Sequence, residues 1–130
     1  METYQAEVLV NERFHLSEGP VWDAETGVLH FVDIKGCTVN TYRLSDGLRT
    51  STEVNQNVGC FALRRQGGYI LGLTAGVYLR SEDGRRIEKL PEPVYDPMTR
   101  SNDGKCDPQG RFWCGTSDLV KGEKRGKLYL

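Results

Sequence analysis

Cys60-Phe-Ala-Leu63, the polar turn Arg64-Arg-Gln-Gly-Gly68 and Tyr69-Ile-Leu-Gly-Leu73 place two strand-sized apolar runs on either side of a glycine. The same arrangement occurs before and after it. Gly19-Pro-Val-Trp-Asp23 and Val28-Leu-His-Phe-Val-Asp-Ile34 flank Gly27, while Lys105-Cys-Asp-Pro108 and Arg111-Phe-Trp-Cys114 flank Gly110. The three glycines are 41 and 42 residues apart. Short strands and glycine turns at a period near forty residues are the signature of β-propeller blades, whose faces are buried only against neighbouring blades. The expected fold is all-β: about three blade-like units, roughly 15–55, 56–97 and 98–130, in a ring left incomplete by this chain.

Within each unit the pattern predicts further strands. Val28 to Ile34 leads through Gly36 to Thr38-Val-Asn-Thr-Tyr-Arg-Leu44 and the hairpin turn Ser45-Asp-Gly47, where Asp-Gly accepts the positive φ of a tight turn. Tyr69 to Leu73, Gly76 to Arg80 and Asp83-Gly84 repeat that plan. In the third unit Arg111 to Cys114 is followed by a polar insert, Ser117 to Arg125, and then Gly126-Lys-Leu-Tyr-Leu130. Tyr42, Tyr78 and Tyr129 mark the third strand of each unit and read as packing residues between blades. Pro91 to Pro97 reads as an extended connector. No window carries apolar residues at helical spacing, and fifteen glycines interrupt any candidate helix.

The 130 residues are 38% hydrophobic and 27% charged, an ordinary globular balance. Seventeen basic against eighteen acidic residues, with no long run of either, leave no electrostatic footprint for nucleic acid. The apolar runs are too short to span a bilayer and the N-terminus lacks a leader pattern, so a cytoplasmic protein without a membrane partner is expected. Cys37, Cys60, Cys106 and Cys114 have no zinc-site spacing, and three of them lie in or beside strands, where a reduced cysteine packs as a small hydrophobe. Four free thiols are expected.

Aligning the units on their glycines sets Glu18, Gly59 and Ser101-Asn102 at equivalent positions near the start of each first strand. Equivalent positions converge on a propeller's axis, which would bring Glu18 and Asn102 together as hard oxygen donors suited to a divalent cation. Local pattern alone offers a plainer reading of each. Glu18 before Gly-Pro reads as a solvated turn residue, Asn102-Asp-Gly104 as a hairpin turn, and Arg100 as a surface charge. His15 and His30 are expected to have no functional role, and Asp33 and Asp118 to be solvated.

The segments Leu16-Ser-Glu-Gly-Pro-Val-Trp-Asp23 and Arg100-Ser-Asn-Asp-Gly-Lys-Cys-Asp-Pro-Gln-Gly-Arg-Phe-Trp-Cys-Gly-Thr116 resemble the regucalcin (senescence marker protein) and gluconolactonase family. The resemblance implies a six-bladed propeller with one divalent cation, Ca, Zn, Mn or Mg, on its axis, hydrolysing sugar lactones to the acid. Glu18 would ligate the metal, and Arg100 and Asn102 would hold the substrate. The cation would polarise the lactone carbonyl, while arginine offers forked donors to its oxygens. The resemblance also places an asparagine and an acid/base aspartate in later blades, beyond Leu130, so a chain of these residues alone is expected to be inactive and to self-associate through open blade faces. Two alternatives remain: a calcium-binding regulatory protein of the regucalcin type, and a non-catalytic interaction module built on the blade surfaces.

Overall fold

The computed structural model describes residues 2–130. Its eleven strands form three antiparallel sheets, and no helix occurs among the described residues. The first sheet is a meander of β1 (Ser17–Asp23), β2 (Val28–Asp33), β3 (Thr38–Arg43) and β4 (Arg49–Glu53). The second repeats it with β5 (Val58–Leu63), β6 (Tyr69–Leu73), β7 (Gly76–Arg80) and β8 (Ile87–Lys89). The third contains β9 (Thr99–Cys106), β10 (Phe112–Asp118) and β11 (Leu128–Tyr129). These are three blades in succession. Among the described residues no helix is long and apolar enough to cross a membrane.

The glycines that mark the repeat all close the turn from first to second strand with positive φ: 67° at Gly27, 73° at Gly68 and 81° at Gly110. Such values are strained for residues with a Cβ, and at Gly68 a Cβ would also lie 2.1 Å from the Arg80 carbonyl oxygen. The first and third turns are further braced by an aspartate. Asp23 Oδ1 accepts from the Glu25 amide at 3.0 Å, and Asp107 Oδ1 accepts from the amides of Gln109 and Arg111, both at 3.0 Å. The second turn has Arg64 in that place and no carboxylate brace from it; Gly67 N–H donates to Arg64 O at 3.0 Å, and the Arg64 guanidinium donates to Gln66 Oε1 at 3.4 Å.

Two clusters hold the sheets face to face. Val32, Ile34 and Val39 of the first sheet meet Val58, Phe61, Leu71 and Leu73 of the second, with Val54 between them. A second cluster, Cys60, Val77, Tyr95 and Cys114, joins the second sheet to the third and is extended by Ile70, Phe112 and Tyr129. Each fully buried Leu or Val contributes about 1.5–3 kcal/mol by leaving water. Tyr129 packs on Tyr95 with ring centroids 5.1 Å apart, and Tyr78 packs on the first cluster and accepts a hydrogen bond from Gln56, so these two of the third-strand tyrosines pack as expected.

Several local expectations are corrected. Asn102-Asp-Gly104 is not a turn: it lies inside β9, where pairing with β10 outweighs the local turn preference. Gly104 is needed for close approach, since a Cβ there would lie 2.7 Å from Cys60 Sγ. Asp33 is buried rather than solvated. Its carboxylate accepts from the amides of His15, Leu16 and Gly36, each at 2.9 Å, and so ties the N-terminal arm to the β2–β3 turn. Burial pushes that carboxyl up, but the three amide donors outweigh it and hold the pKa below the usual value. Asp118 accepts from the amides of Lys124 and Arg125 at 2.6 and 2.8 Å, organising the insert it precedes. β10 runs on to Asp118, so the insert begins at Leu119, and the last strand shortens to Leu128–Tyr129. β4 and β8 add a fourth strand that the short apolar runs did not signal.

Candidate functional site

The innermost strands β1, β5 and β9 each carry a β-bulge at the same stage. On β1, Gly19 and Pro20 face Phe31 between the pairs Glu18–Val32 and Val21–His30. On β5, Gly59 is the extra residue between Val58–Leu73 and Cys60–Gly72. On β9 it is Asn102, between Ser101–Thr116 and Asp103–Gly115. A bulge bends its strand and re-aims the side chains beside it. Of the residues singled out from the sequence, Asn102 is itself the bulge residue of β9, and Glu18 stands immediately before the bulge of β1.

On β9 the alternation is Thr99 buried, Arg100 half-buried, Ser101 buried and Asn102 exposed. Arg100 Nη1 donates to the Asn102 Oδ1 at 3.2 Å and to the Ser101 carbonyl at 2.7 Å, so the guanidinium and the amide are brought together. Glu18 is exposed near the start of β1, and among the described residues its carboxylate has no hydrogen bond or ion pair with another side chain. β5 lies against both β1 and β9, which puts Glu18 and the Arg100–Asn102 pair on the two strands flanking β5.

The junction of β5 and β9 fixes that pair. Ser101 Oγ donates to Gly72 O and accepts from the Gly59 amide at 3.3 Å, joining three strands of two sheets. The backbones are so close that a Cβ on Gly59 would lie 2.2 Å from the Ser101 carbonyl oxygen. No role for Ser101 was evident from the sequence. Its only signal was standing level with Gly59 in the repeat, between two candidate site residues.

The connection from β10 to β11 leaves from the same edge. Ser117 pairs with Arg100, Asp118 pairs with Thr99, and the Leu119 amide donates to Met98 O at 2.8 Å. The connection carries Lys121, Lys124 and Arg125 against Glu123, all exposed. Thr116 and Lys127 clasp its base, with the Lys127 amide donating to Thr116 Oγ1 at 2.9 Å.

A divalent cation of the kind expected takes about six or more oxygen ligands. Glu18 supplies one carboxylate, and Asn102 Oδ1 already accepts from Arg100. Among the described residues no group of three His, Cys, Asp or Glu side chains is placed to hold a metal. The residues of this chain alone do not fit such an ion.

His30 is buried, with Nδ1 3.1 Å from the Tyr69 hydroxyl and Nε2 without a partner among the described residues. Burial lowers its pKa, keeping the ring neutral in its place between the first two sheets.

Comparison with known proteins agrees with this architecture. The SMP-30/Gluconolactonase/LRE-like region matches residues 16–130, and the chain belongs to that family. It is 40% identical over 114 residues to a 6-deoxy-6-sulfogluconolactonase of Pseudomonas putida, a match covering 87% of this chain and 39% of that protein. It is 36% identical over 117 residues to regucalcin of Xenopus laevis, covering 89% of this chain and 39% of the relative. A crystal structure of regucalcin from Agrobacterium tumefaciens, described as a calcium-binding protein, superposes with a TM-score of 0.83 at 24% identity, over 94% of this chain and 42% of that one. The chain spans about two fifths of the length of the curated relatives it matches.

Proposed function

We propose, on the premise of that family membership, that the chain forms part of a divalent-metal-dependent sugar-lactone hydrolase in which Arg100 and Asn102 hold the lactone. The observation that carries this reading is the Arg100–Asn102 pair, with Nη1 and Oδ1 3.2 Å apart at the bulge of an innermost strand. A guanidinium offers parallel donors to ring and hydroxyl oxygens, and its strength as a charged donor exceeds that of a neutral one. The amide of Asn102 adds a donor and fixes the direction of the guanidinium. Glu18 contributes one carboxylate to the cation, Ca, Mg, Mn or Zn, whose remaining oxygen ligands come from outside the residues described. By themselves these residues bind the ion weakly and do not turn over substrate.

The basic β10–β11 connection beside Arg100 favours a lactone bearing an anionic substituent. The name of the Pseudomonas putida relative, a sulfogluconolactonase, agrees with that choice. The regucalcin relatives support a second reading, a calcium-binding regulatory role for the same Glu18.

The test is base uptake at constant pH during lactone opening, using the natural full-length gene product. Arg100→Ala should lower kcat/KM by about tenfold to a hundredfold, the range expected for losing a charged hydrogen bond. Glu18→Gln should abolish turnover together with cation binding. Hydrolysis that survives both substitutions unchanged overturns the proposal, and cation binding lost from Glu18→Gln in a protein that never opens a lactone establishes the regulatory reading instead.

A further inference from the structure

We propose that Cys60 and Cys114 form an oxidisable dithiol, closed to a disulfide by a small hydroperoxide, that staples the second sheet to the third. The two sulfurs belong to different sheets, on β5 and β10, and lie 3.5 Å apart. All four cysteines are free thiols in this structure, and Cys60 and Cys114 are 2% and 1% exposed. A disulfide needs the sulfurs to come within about 2.05 Å, a short movement for side chains that already touch.

The surroundings are shaped around this pair. A Cβ on Gly72 would lie 2.6 Å from Cys60 Sγ and 3.1 Å from Cys114 Sγ, and one on Gly104 would lie 2.7 Å from Cys60 Sγ. Glycine at both positions leaves the sulfurs the space that side chains would fill. Cys114 Sγ also sits 3.1 Å from the Tyr95 hydroxyl, so two protonated groups, the Cys60 thiol and the phenol, can donate to it. Those two donors lower the Cys114 pKa, the Cys60 contact most, against the opposing effect of burial. The same contact, together with burial, raises that of Cys60. Cys114, which takes both donors and is the member of the pair that lines the adjoining cleft, is therefore the nucleophile.

An approach exists from outside. A cleft of about 500 Å³ between the second and third sheets has Cys114 on its wall among Ile70, Val77, Leu90, Phe112 and Tyr129. Its lining is largely apolar, with Glu92 and Arg111 as the charged members, and it is wide enough for a small neutral oxidant. Cys37 and Cys106 are more exposed but have no second sulfur in contact among the described residues.

The chemistry balances with hydrogen peroxide as the co-reactant. The Cys114 thiolate attacks one peroxide oxygen and breaks the O–O bond, giving a sulfenic acid and hydroxide, which takes a proton to become water. Cys60 sulfur then attacks the sulfenic sulfur and expels a second water. Two thiols are oxidised to one disulfide and one peroxide is reduced to two waters. The new bond would fasten β5 to β10 beside the Gly59–Ser101 junction that holds β9.

The Cys37→Ala/Cys106→Ala double variant leaves this pair as the only thiols among residues 1–130. After peroxide treatment and denaturation, both thiols should be lost to titration and both should return on reduction, with a Cys60–Cys114 linked peptide in the digest and a monomeric band without reductant. The urea midpoint of the oxidised form should rise above that of the reduced form. Should the double variant fail to fold, the same measurements on the wild-type chain, with Cys37 and Cys106 first alkylated in the native state, decide the matter. Persistence of both thiols at peroxide levels that oxidise Cys37 or Cys106, over-oxidation without a linked peptide, an intermolecular disulfide, or an unchanged midpoint each overturns the proposal.

Discussion

Between the first and second sheets the contact is mainly hydrocarbon: Val32, Ile34, Val58, Phe61, Leu71 and Leu73 interdigitate, and the His30–Tyr69 hydrogen bond is the side-chain polar contact between their strands among the described residues. Between the second and third sheets the corresponding space holds Cys60, Ser101, Tyr95 and Cys114, with Gly59, Gly72 and Gly104 drawing backbones and sulfurs close. The first interface depends on volume, which many combinations of side chains can supply. The second depends on register, because two thiols, two hydroxyls, the Gly59 amide and the Gly72 carbonyl must meet particular partners at hydrogen-bonding distance. That stricter interface is the one that sets Arg100 and Asn102 in place. The lesson is that stability and site geometry are concentrated in different seams of the same repeat.

The largest expected effect tests the hydrocarbon seam. Leu71 is fully buried, and Leu71→Ala should lower unfolding free energy by about 2–5 kcal/mol, read from the urea midpoint. A loss well below that range would show that the seam collapses to fill the space. Gly59→Ala tests the other side. With its Cβ only 2.2 Å from the Ser101 carbonyl oxygen, overpacking should cost about 1–3 kcal/mol. It should also raise KM for the lactone in the full-length protein, whereas Leu71→Ala should leave KM of the folded fraction unchanged. Equal effects of the two substitutions on KM would erase the distinction between seams.

The smallest effect concerns the turns that flank the second one. The hydrogen bond from Trp113 Nε1, with further help from Arg111, lowers the Asp107 pKa to about 2. A folded-state pKa below the unfolded value, about 3.9, stabilises the fold above that pH, and the contribution is lost as pH falls toward 2. Acid unfolding of Asp107→Asn should therefore start from a lower stability at neutral pH and fall less steeply between about pH 4 and 2. An acid limb parallel to that of the wild type would remove Asp107 from the account.

The repeat was legible because its cause is local. Positive φ at Gly27, Gly68 and Gly110 and the apolar runs around them follow from short-range sterics and period, so blades could be counted from the chain itself. β4 and β8 escaped notice because Arg49–Glu53 and Ile87–Lys89 are largely exposed outer strands with little apolar signal. Asn102-Asp-Gly104 misled for the opposite reason. Its composition favours a turn, and only the partner strand β10 makes it extended.

Of the candidate site, the sequence supplied Glu18 and Asn102 as positions in a repeat, and Arg100 through the family motif. It could not supply Ser101, whose importance is a contact with Gly59 and Gly72 on another sheet.

The sequence by itself determined the strand modules, their spacing and the family motif, since each is written in neighbouring residues. Only the tertiary structure decided which groups separated by dozens of residues touch: Asp33 with the amides of His15 and Leu16, Ser101 with Gly59, and Cys60 with Cys114. Those meetings depend on how one sheet seats against the next, and a linear pattern of apolar and polar residues carries no measure of that distance.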